Sequence, residues 1–194
     1  MIIDDVITCV ARKQTPVILT RFKEHAKFLH DALKKKADHV FLLYGDNSDK
    51  ENAEIRVKLK QIPENESLIL VATGQKIGEG FDFPRLDVLM LAAPVSFEGR
   101  LEQYVGRLNR DYVGKEAVYV YDYIDSHVRY FDKMYAKRLR TYRKMGFSIW
   151  TQELQPKQII NAIFDSVNYT EKFEQDIVES EKIGGNFQSG YQTG

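Results

Sequence analysis

Short apolar runs alternate with amphipathic stretches along the first two thirds of the chain. The runs are rich in Val, Ile and Leu, which is typical of strands buried on both faces. Between them, apolar residues recur at helical spacing, as Phe22, Ala26 and Leu29 do. The predicted strands are residues 17–20, 40–44, 68–73, 88–92 and 117–121. This alternation predicts an α/β fold with a parallel sheet and helices on both faces.

Local signals place the ends of the helices. Apolar residues at helical spacing predict a first helix over about residues 2–12, and the helix that contains Phe22 is expected to reach about Ala37. Ser48 and Glu51 have the spacing of a capping box, so a third helix should begin there.

The pattern changes after Asp125, where the predicted strands stop. Residues 129–144 form a basic helix with an aromatic face, which we expect to pack on the sheet with its lysines and arginines outward. Two further, acidic helical segments follow, and the final residues have no period and should be mobile. We therefore predict a domain over residues 1–146, a helical extension over 147–183 and a flexible tail over 184–194.

Composition narrows the class of protein. The 28 basic and 28 acidic side chains cancel, so any nucleic-acid contact must come from a local patch. The lone Cys9 suits a reducing compartment, and no apolar run reaches the roughly 18 residues of a membrane span. With no basic signal peptide at Met1, these features predict a cytoplasmic protein. The four histidines match no metal-ligand spacing, so no metal site is expected.

Polar groups concentrate in the stretch 71–110. The first group follows the predicted strand 68–73, so it lies at a strand's carboxyl end, where open α/β sheets bind ligands. The second group is Gln103, Gly106, Arg107 and Arg110, on a predicted helix with Gln103, Gly106 and Arg110 on one face. Paired guanidiniums beside a small residue suit a polyphosphate, because each binds phosphate oxygens bidentately and keeps its charge.

These two groups resemble motifs V and VI of superfamily-two DNA/RNA helicases. The residues ATG at 72–74 with GEGFDFP at 78–84 look like motif V, and QYVGRLNR at 103–110 looks like motif VI. Residues 17–22 and 43–45 lie where motif IV and the following glycine loop belong. The likeness spans about residues 17–146 and points to the second, C-terminal RecA-like domain, closest to the excision-repair and restriction-enzyme group. Tyr104 stands where that group often has Arg.

The resemblance implies specific roles. Arg107 and Arg110 would be arginine fingers on the γ-phosphate of ATP, worth roughly 10³ to 10⁵ in rate. Gln103 would help to place these fingers. The residues expected to approach the nucleotide are Gly80, Asp82 and Gly106, with Gly80 and Asp82 near the ribose. Those expected to contact phosphates of a DNA or RNA strand are Thr73, Gly74 and Gly45.

The ATP site would be incomplete in this chain. A P-loop needs G-x-x-x-x-G-K-[ST], and the Gly-Lys pair at 114–115 is followed by Glu116. No acidic motif for Mg²⁺ is found either. The resemblance therefore implies a partner, an N-terminal RecA-like domain with a Walker A and an acidic motif, which would hold most of the ATP and its Mg²⁺. We expect the isolated chain to hydrolyse ATP poorly or not at all, as an excised fragment or as a subunit completed by another chain.

Other interpretations remain open. Arg107 and Arg110 could be a solvated helix face paired with Glu98 or Glu102, and Thr73 and Asp82 could simply shape a strand end. The chain could be a non-catalytic RecA-like docking module, or the motor subunit of a restriction system. A dinucleotide site is disfavoured because Phe83 replaces the third glycine of the G-x-G-x-x-G pattern.

Overall fold

Five parallel strands form one sheet in the part of the chain that the structure describes. The structure is a computed structural model and describes residues 1–74, 77, 81–93, 98–124 and 128–150. The strands are β1 (Pro16–Thr20), β2 (His39–Leu43), β3 (Leu68–Thr73), β4 (Val88–Leu91) and β5 (Tyr119–Asp122). The helices with defined bounds are α1 (Ile2–Ala11), α2 (Lys23–Leu33), α3 (Asp49–Leu59), α4 (Glu98–Leu108) and α5 (Arg129–Lys144). This alternation confirms the predicted α/β class.

The strand order is β2-β3-β1-β4-β5, and every pair is parallel. β1 lies between β3 and β4, so the chain crosses β1 on its way from β3 to β4. Thr20 at the end of β1 is in register with Thr73 at the end of β3. Such crossover points, at the carboxyl ends of strands, are where open α/β sheets bind ligands. Thr73 and Gly74 therefore lie at the expected edge. Residues 82–85 lie instead toward the strand starts, because Arg85 binds the carbonyls of residues 63, 64 and 66 before β3.

The two faces of the sheet hold separate apolar clusters, because alternate side chains of each strand point to opposite faces. On one face, Ile18, Val71 and Met90 pack with residues of α1 and α2. On the other, Leu19, Ala72 and Leu91 pack with residues of α3, α4 and α5. Helices thus cover both faces, as predicted. α4 is the helix that carries the motif VI residues.

Local signals predicted most element ends. Ser48 Oγ accepts a hydrogen bond from Glu51 N at 3.2 Å, and Ser48 N donates to Glu51 Oε2 at 2.7 Å, which confirms the capping box. α2 ends at Leu33 rather than near Ala37. β5 begins two residues later than predicted, because Tyr119 is the first residue in register with the start of β4.

One expectation for α5 was wrong. Arg138, expected to point outward, is only 3% exposed and binds the Asp122 carboxylate through two bonds, Nε–Oδ2 at 2.7 Å and Nη2–Oδ1 at 2.8 Å. Tyr142 also donates to Asp122 Oδ2, at 3.0 Å. Asp122 ends β5 beneath α5, and a covered carboxylate needs such partners. The basic residues of α5 that are exposed, as predicted, are Lys133, Lys137, Arg140, Arg143 and Lys144.

The described residues end at Trp150. Met1–Ile149 form one compact unit. Residues 151–194, which hold nearly all of the predicted extension 147–183 and the whole tail 184–194, lie outside the described residues, so these boundaries stay predictions. None of the described helices is both long and apolar enough to cross a membrane.

Candidate functional site

The carboxyl end of β3 is the first part of the candidate site. Thr73, its last residue, is 7% exposed, and its register partner Thr20 is 2% exposed. Thr20 Oγ1 accepts from Phe22 N at 3.3 Å and lies 3.1 Å from His25 Nδ1. Burial lowers the pKa of His25 to about 4. His25 is therefore neutral at pH 7 and contacts Thr20 at the end of β1.

Arg107 and Arg110 both contact the motif V segment. Arg110 Nη1 lies 2.8 Å from Asp82 Oδ2, and both side chains are 51% exposed. Arg107 Nη1 donates to the backbone carbonyl of Phe81. The two arginines thus bind consecutive residues, 81 and 82, on the side of the sheet where the strands begin. Of the acidic partners considered from sequence, Glu102 pairs instead with Lys144, at 3.0 Å.

The outer face of α4 is open. Gln103 and Gly106 are exposed, and a Cβ added to Gly106 would meet no atom of the described residues within 4 Å. The inner face carries Tyr104 and Val105, which are buried in the core. α4 ends at Leu108, so Arg110 lies just beyond the helix. The predicted grouping of Gln103 with Gly106 is therefore seen, while Arg110 is placed by the turn that follows.

Lys115 fixes that turn. Its ammonium donates to three carbonyl oxygens, those of Leu108 at 2.7 Å, Arg110 at 3.0 Å and Pro84. Burial lowers the pKa of Lys115. A cation at a helix carboxyl end satisfies carbonyls that the helix leaves free. From the sequence, this lysine was expected in the turn before β5, with no role at the site. A basic residue shortly after a predicted helix is a signal for such a contact.

Tyr104 is a second residue that sequence analysis missed. Its hydroxyl donates to the carbonyl oxygen of Gly74 at 2.9 Å, which joins α4 to the end of β3. A Cβ added to Gly74 would lie 2.6 Å from that hydroxyl. Glycine is therefore required at position 74 while Tyr104 keeps this place. The motif alone could not reveal it, because the contact depends on how α4 packs on the sheet.

Gly45 lies beyond β2, which neighbours β3. A Cβ added to Gly45 would lie 3.2 Å from Lys23 Cε, and the ammonium of Lys23 forms an ion pair with Asp46. Because β2 and β3 are parallel, Gly45 follows strand ends on the same edge as Thr73 and Gly74. Gly80, which was predicted to contact the nucleotide together with Asp82 and Gly106, lies outside the described residues.

A shallow pocket of about 280 Å³ opens beside Asp82. Its other lining residues are Leu59, Lys60, Ile62, Phe83, Pro84, Arg85 and Tyr112. Its walls are apolar and aromatic, with one carboxylate, Asp82, and two cations, Lys60 and Arg85.

The chain is similar to known helicase proteins. Residues 1–111 match the family described as helicase conserved C-terminal domain. Putative helicase 161L of Invertebrate iridescent virus 6 is 34% identical over 118 residues, which are 60% of this chain and 22% of that protein. Transcript termination protein A18 of Yaba-like disease virus is 31% identical over 99 residues, 51% of this chain and 20% of that protein. The chain thus spans about a fifth of these relatives.

Solved structures show the same fold. T4 UvsW has a TM-score of 0.58 at 22% identity, covering 74% of this chain and 31% of that one. The Mss116p DEAD-box helicase domain 2, solved with an RNA duplex, has a TM-score of 0.56 at 19% identity, covering 80% of this chain and 58% of that one. The fold is therefore a RecA-like α/β fold. Because the family match covers more than half of its 194 residues, the chain belongs to the helicase conserved C-terminal domain family.

Proposed function

We propose that this chain is the C-terminal motor half of an ATP-dependent nucleic-acid helicase or translocase. Arg107 and Arg110 act on ATP that is held, with Mg²⁺, mainly by an N-terminal RecA-like domain. The observation that carries the proposal is the contact of both arginines with Phe81 and Asp82 of the motif V segment. This contact places two guanidiniums, which suit phosphate, next to a carboxylate, which suits ribose.

The residues present fit ATP. Two guanidiniums suit phosphate oxygens, and the Asp82 carboxylate suits ribose hydroxyls. When bound, ATP supplies the phosphoryl group that is transferred to water. Arg107 and Arg110 stabilise the negative charge that develops during that transfer, and Gln103 on the open face of α4 helps to place them.

The ion pair of Arg110 with Asp82 is compatible with this role. A carboxylate partner is also what a purely structural arginine would have. However, ion pairs as exposed as this one, at 51% for both side chains, are worth about 0–1 kcal/mol. A triphosphate carries more charge than one carboxylate, so Arg110 can exchange Asp82 for phosphate and release Asp82 toward the ribose.

The strand contacts come from the ends of β3 and β2. We propose that backbone groups at Thr73, Gly74 and Gly45 hold phosphates of the nucleic acid. The Thr73 side chain is only 7% exposed, so its backbone carries most of the contact. Backbone contacts of this kind position a strand without reading its sequence. The two RecA-like domains would close on ATP and open after hydrolysis, holding the strand alternately.

The motor is favoured over a docking module. A docking platform has no use for arginines at both motif VI positions, and relatives are named putative helicase and transcript termination protein. Those names favour action on nucleic acid. They do not distinguish DNA from RNA as the substrate, or a restriction system from another partner.

The test is hydrolysis of ATP by the chain joined to its N-terminal partner domain. We expect Arg110→Ala to lower the hydrolysis stimulated by single-stranded DNA or RNA by about 10³-fold, because a finger stabilises the transition state. The control is Lys34→Ala, since Lys34 forms a comparably exposed ion pair with Asp31, at 2.7 Å. Full activity of Arg110→Ala would contradict the finger role. Strand-displacement assays on DNA and RNA duplexes then separate the two substrates.

A further inference from the structure

Tyr104 connects α4, which contains Arg107 and leads to Arg110, to the end of β3. It lies on the inner face of α4, 4% exposed, within the same core cluster as Leu101 and Leu108. Its ring is therefore packed and moves with the helix. Its hydroxyl donates to the carbonyl oxygen of Gly74, at 2.9 Å. A side chain of the motif VI helix thus reaches the backbone of motif V.

Gly74 meets the hydroxyl rather than the ring. A Cβ built on Gly74 would be 2.6 Å from the Tyr104 oxygen but 3.6 Å from its Cζ. The first distance is a clash and the second an ordinary contact. The close approach of the β3 end to α4 is therefore set by one oxygen atom, and its removal would make room for a methyl group.

We propose that Tyr104 is a positioning residue that couples the ATP side of the site to the nucleic-acid side. This inference rests on the proposed function. Gln103 precedes Tyr104 on α4, and Arg107 follows it one turn later on the same helix. Because α4 is a hydrogen-bonded helix, a shift of Arg107 toward phosphate moves Tyr104 as well. The hydroxyl passes that shift to the Gly74 peptide.

The same link works in the other direction. A strand held by the backbone at Thr73 and Gly74 fixes the Gly74 carbonyl, and the hydrogen bond then fixes α4. The arginines are thereby held in the arrangement that ATP needs. Coupling between two sites is reciprocal, so strand binding and ATP binding favour the same position of the helix. Tyr104 touches neither ligand and acts through Gly74 and α4.

The decisive variant is Tyr104→Phe, which removes the oxygen and keeps the ring. In the chain joined to its partner domain, ATP turnover is measured with and without a 20-nucleotide oligo(dT) or oligo(U) strand. We expect the ratio of stimulated to basal kcat to fall about fivefold, the equivalent of about 1 kcal/mol for one lost hydrogen bond. Basal kcat and the KM for ATP should stay within about twofold, because the arginines themselves are unchanged.

The matched control is Tyr123→Phe. Tyr123 donates to Asp5 Oδ2 at 2.8 Å and packs with the cluster on the other face of the sheet. This variant loses a hydroxyl bond to a carboxylate, which is at least as strong as the Tyr104 bond, away from Gly74. Its stimulation ratio should equal that of the wild type. A fall of the ratio in both variants would show a general effect of destabilisation and would overturn the coupling role.

A second variant makes the test specific for the contact. Gly74→Ala places a methyl group against the Tyr104 hydroxyl and should also lower the ratio. Combined with Tyr104→Phe, it should add no further loss, because the clash and the bond involve the same oxygen. Additive losses, or an unchanged ratio in Tyr104→Phe, would overturn the inference. If the wild type itself shows no strand-stimulated hydrolysis, the proposed function fails, and the coupling with it.

Discussion

Arg110 and Asp82 form an ion pair with an Nη1–Oδ2 distance of 2.8 Å, although they belong to different motifs. Arg110 follows α4, and Asp82 precedes β4. The pair is half-exposed, so water weakens it and a more highly charged partner can replace it. In the proposed function, a phosphate of ATP would compete with Asp82 for Arg110.

The Gly106→Ala variant tests helix stability and nucleotide binding by two separate measurements. Gly106 lies on α4 with open space around it, so alanine should stabilise the helix by about 0.5–1 kcal/mol. If Gly106 lies beside the nucleotide, the added methyl group should raise the KM for ATP of the assembled protein. Thermal unfolding and ATP kinetics measure the two effects. A more stable protein with unchanged ATP kinetics would remove Gly106 from the nucleotide site.

Lys115→Met should loosen the turn that carries Arg110. The variant keeps the length of the side chain and removes the donor to the Leu108, Arg110 and Pro84 carbonyls. We expect the free energy of unfolding to fall by about 1–3 kcal/mol, because these carbonyls lose a charged donor. Urea denaturation measures the loss. Lys137→Met, at an exposed position of α5, is the control and should change little.

Arg138→Ala and Arg140→Ala should differ sharply although they lie on the same helix. Arg138 is 3% exposed beside Asp122, whereas Arg140 is exposed. Loss of Arg138 leaves a covered carboxylate without its cation, which costs about 3–5 kcal/mol. Arg140→Ala should stay within about 0.5 kcal/mol of the wild type. Equal losses by urea denaturation would contradict the buried pair.

His25 should make the fold less stable in mild acid. Burial lowers its pKa to about 4 from an ordinary 6.5, so the unfolded chain takes up a proton at higher pH than the folded one. The contribution of neutral, buried His25 to the free energy of unfolding is complete above about pH 6.5. It decreases as the pH falls toward 4, by up to about 3 kcal/mol. Urea denaturation between pH 7 and 4 should show that the free energy of unfolding falls less in His25→Gln than in the wild type. Identical declines would mean that His25 titrates normally.

Much of this protein could be predicted from the order of its residues. The apolar runs gave the five described strands, and Ser48 and Glu51 gave a helix start, because both signals act between near neighbours. The spacing of Gln103, Gly106, Arg107 and Arg110 predicted a polyphosphate site, which stays a prediction. The resemblance of residues 103–110 to motif VI predicted the helicase family, which the match over residues 1–111 confirms. Two element boundaries differ from the prediction. α2 ends earlier, where its packing on the sheet ends, and β5 begins later, where its pairing with β4 begins.

The sequence by itself determined the α/β class, the motifs and the chemistry they favour. The tertiary structure decided which groups meet. Arg110 reaches Asp82, Tyr104 reaches Gly74, Lys115 reaches Pro84, and Arg138 turns inward to Asp122. These pairs depend on the strand order β2-β3-β1-β4-β5 and on how α4 and α5 pack against it. Periodicity shows which face of an element is buried, but a hydrogen-bond partner far along the chain is set only when the sheet is assembled.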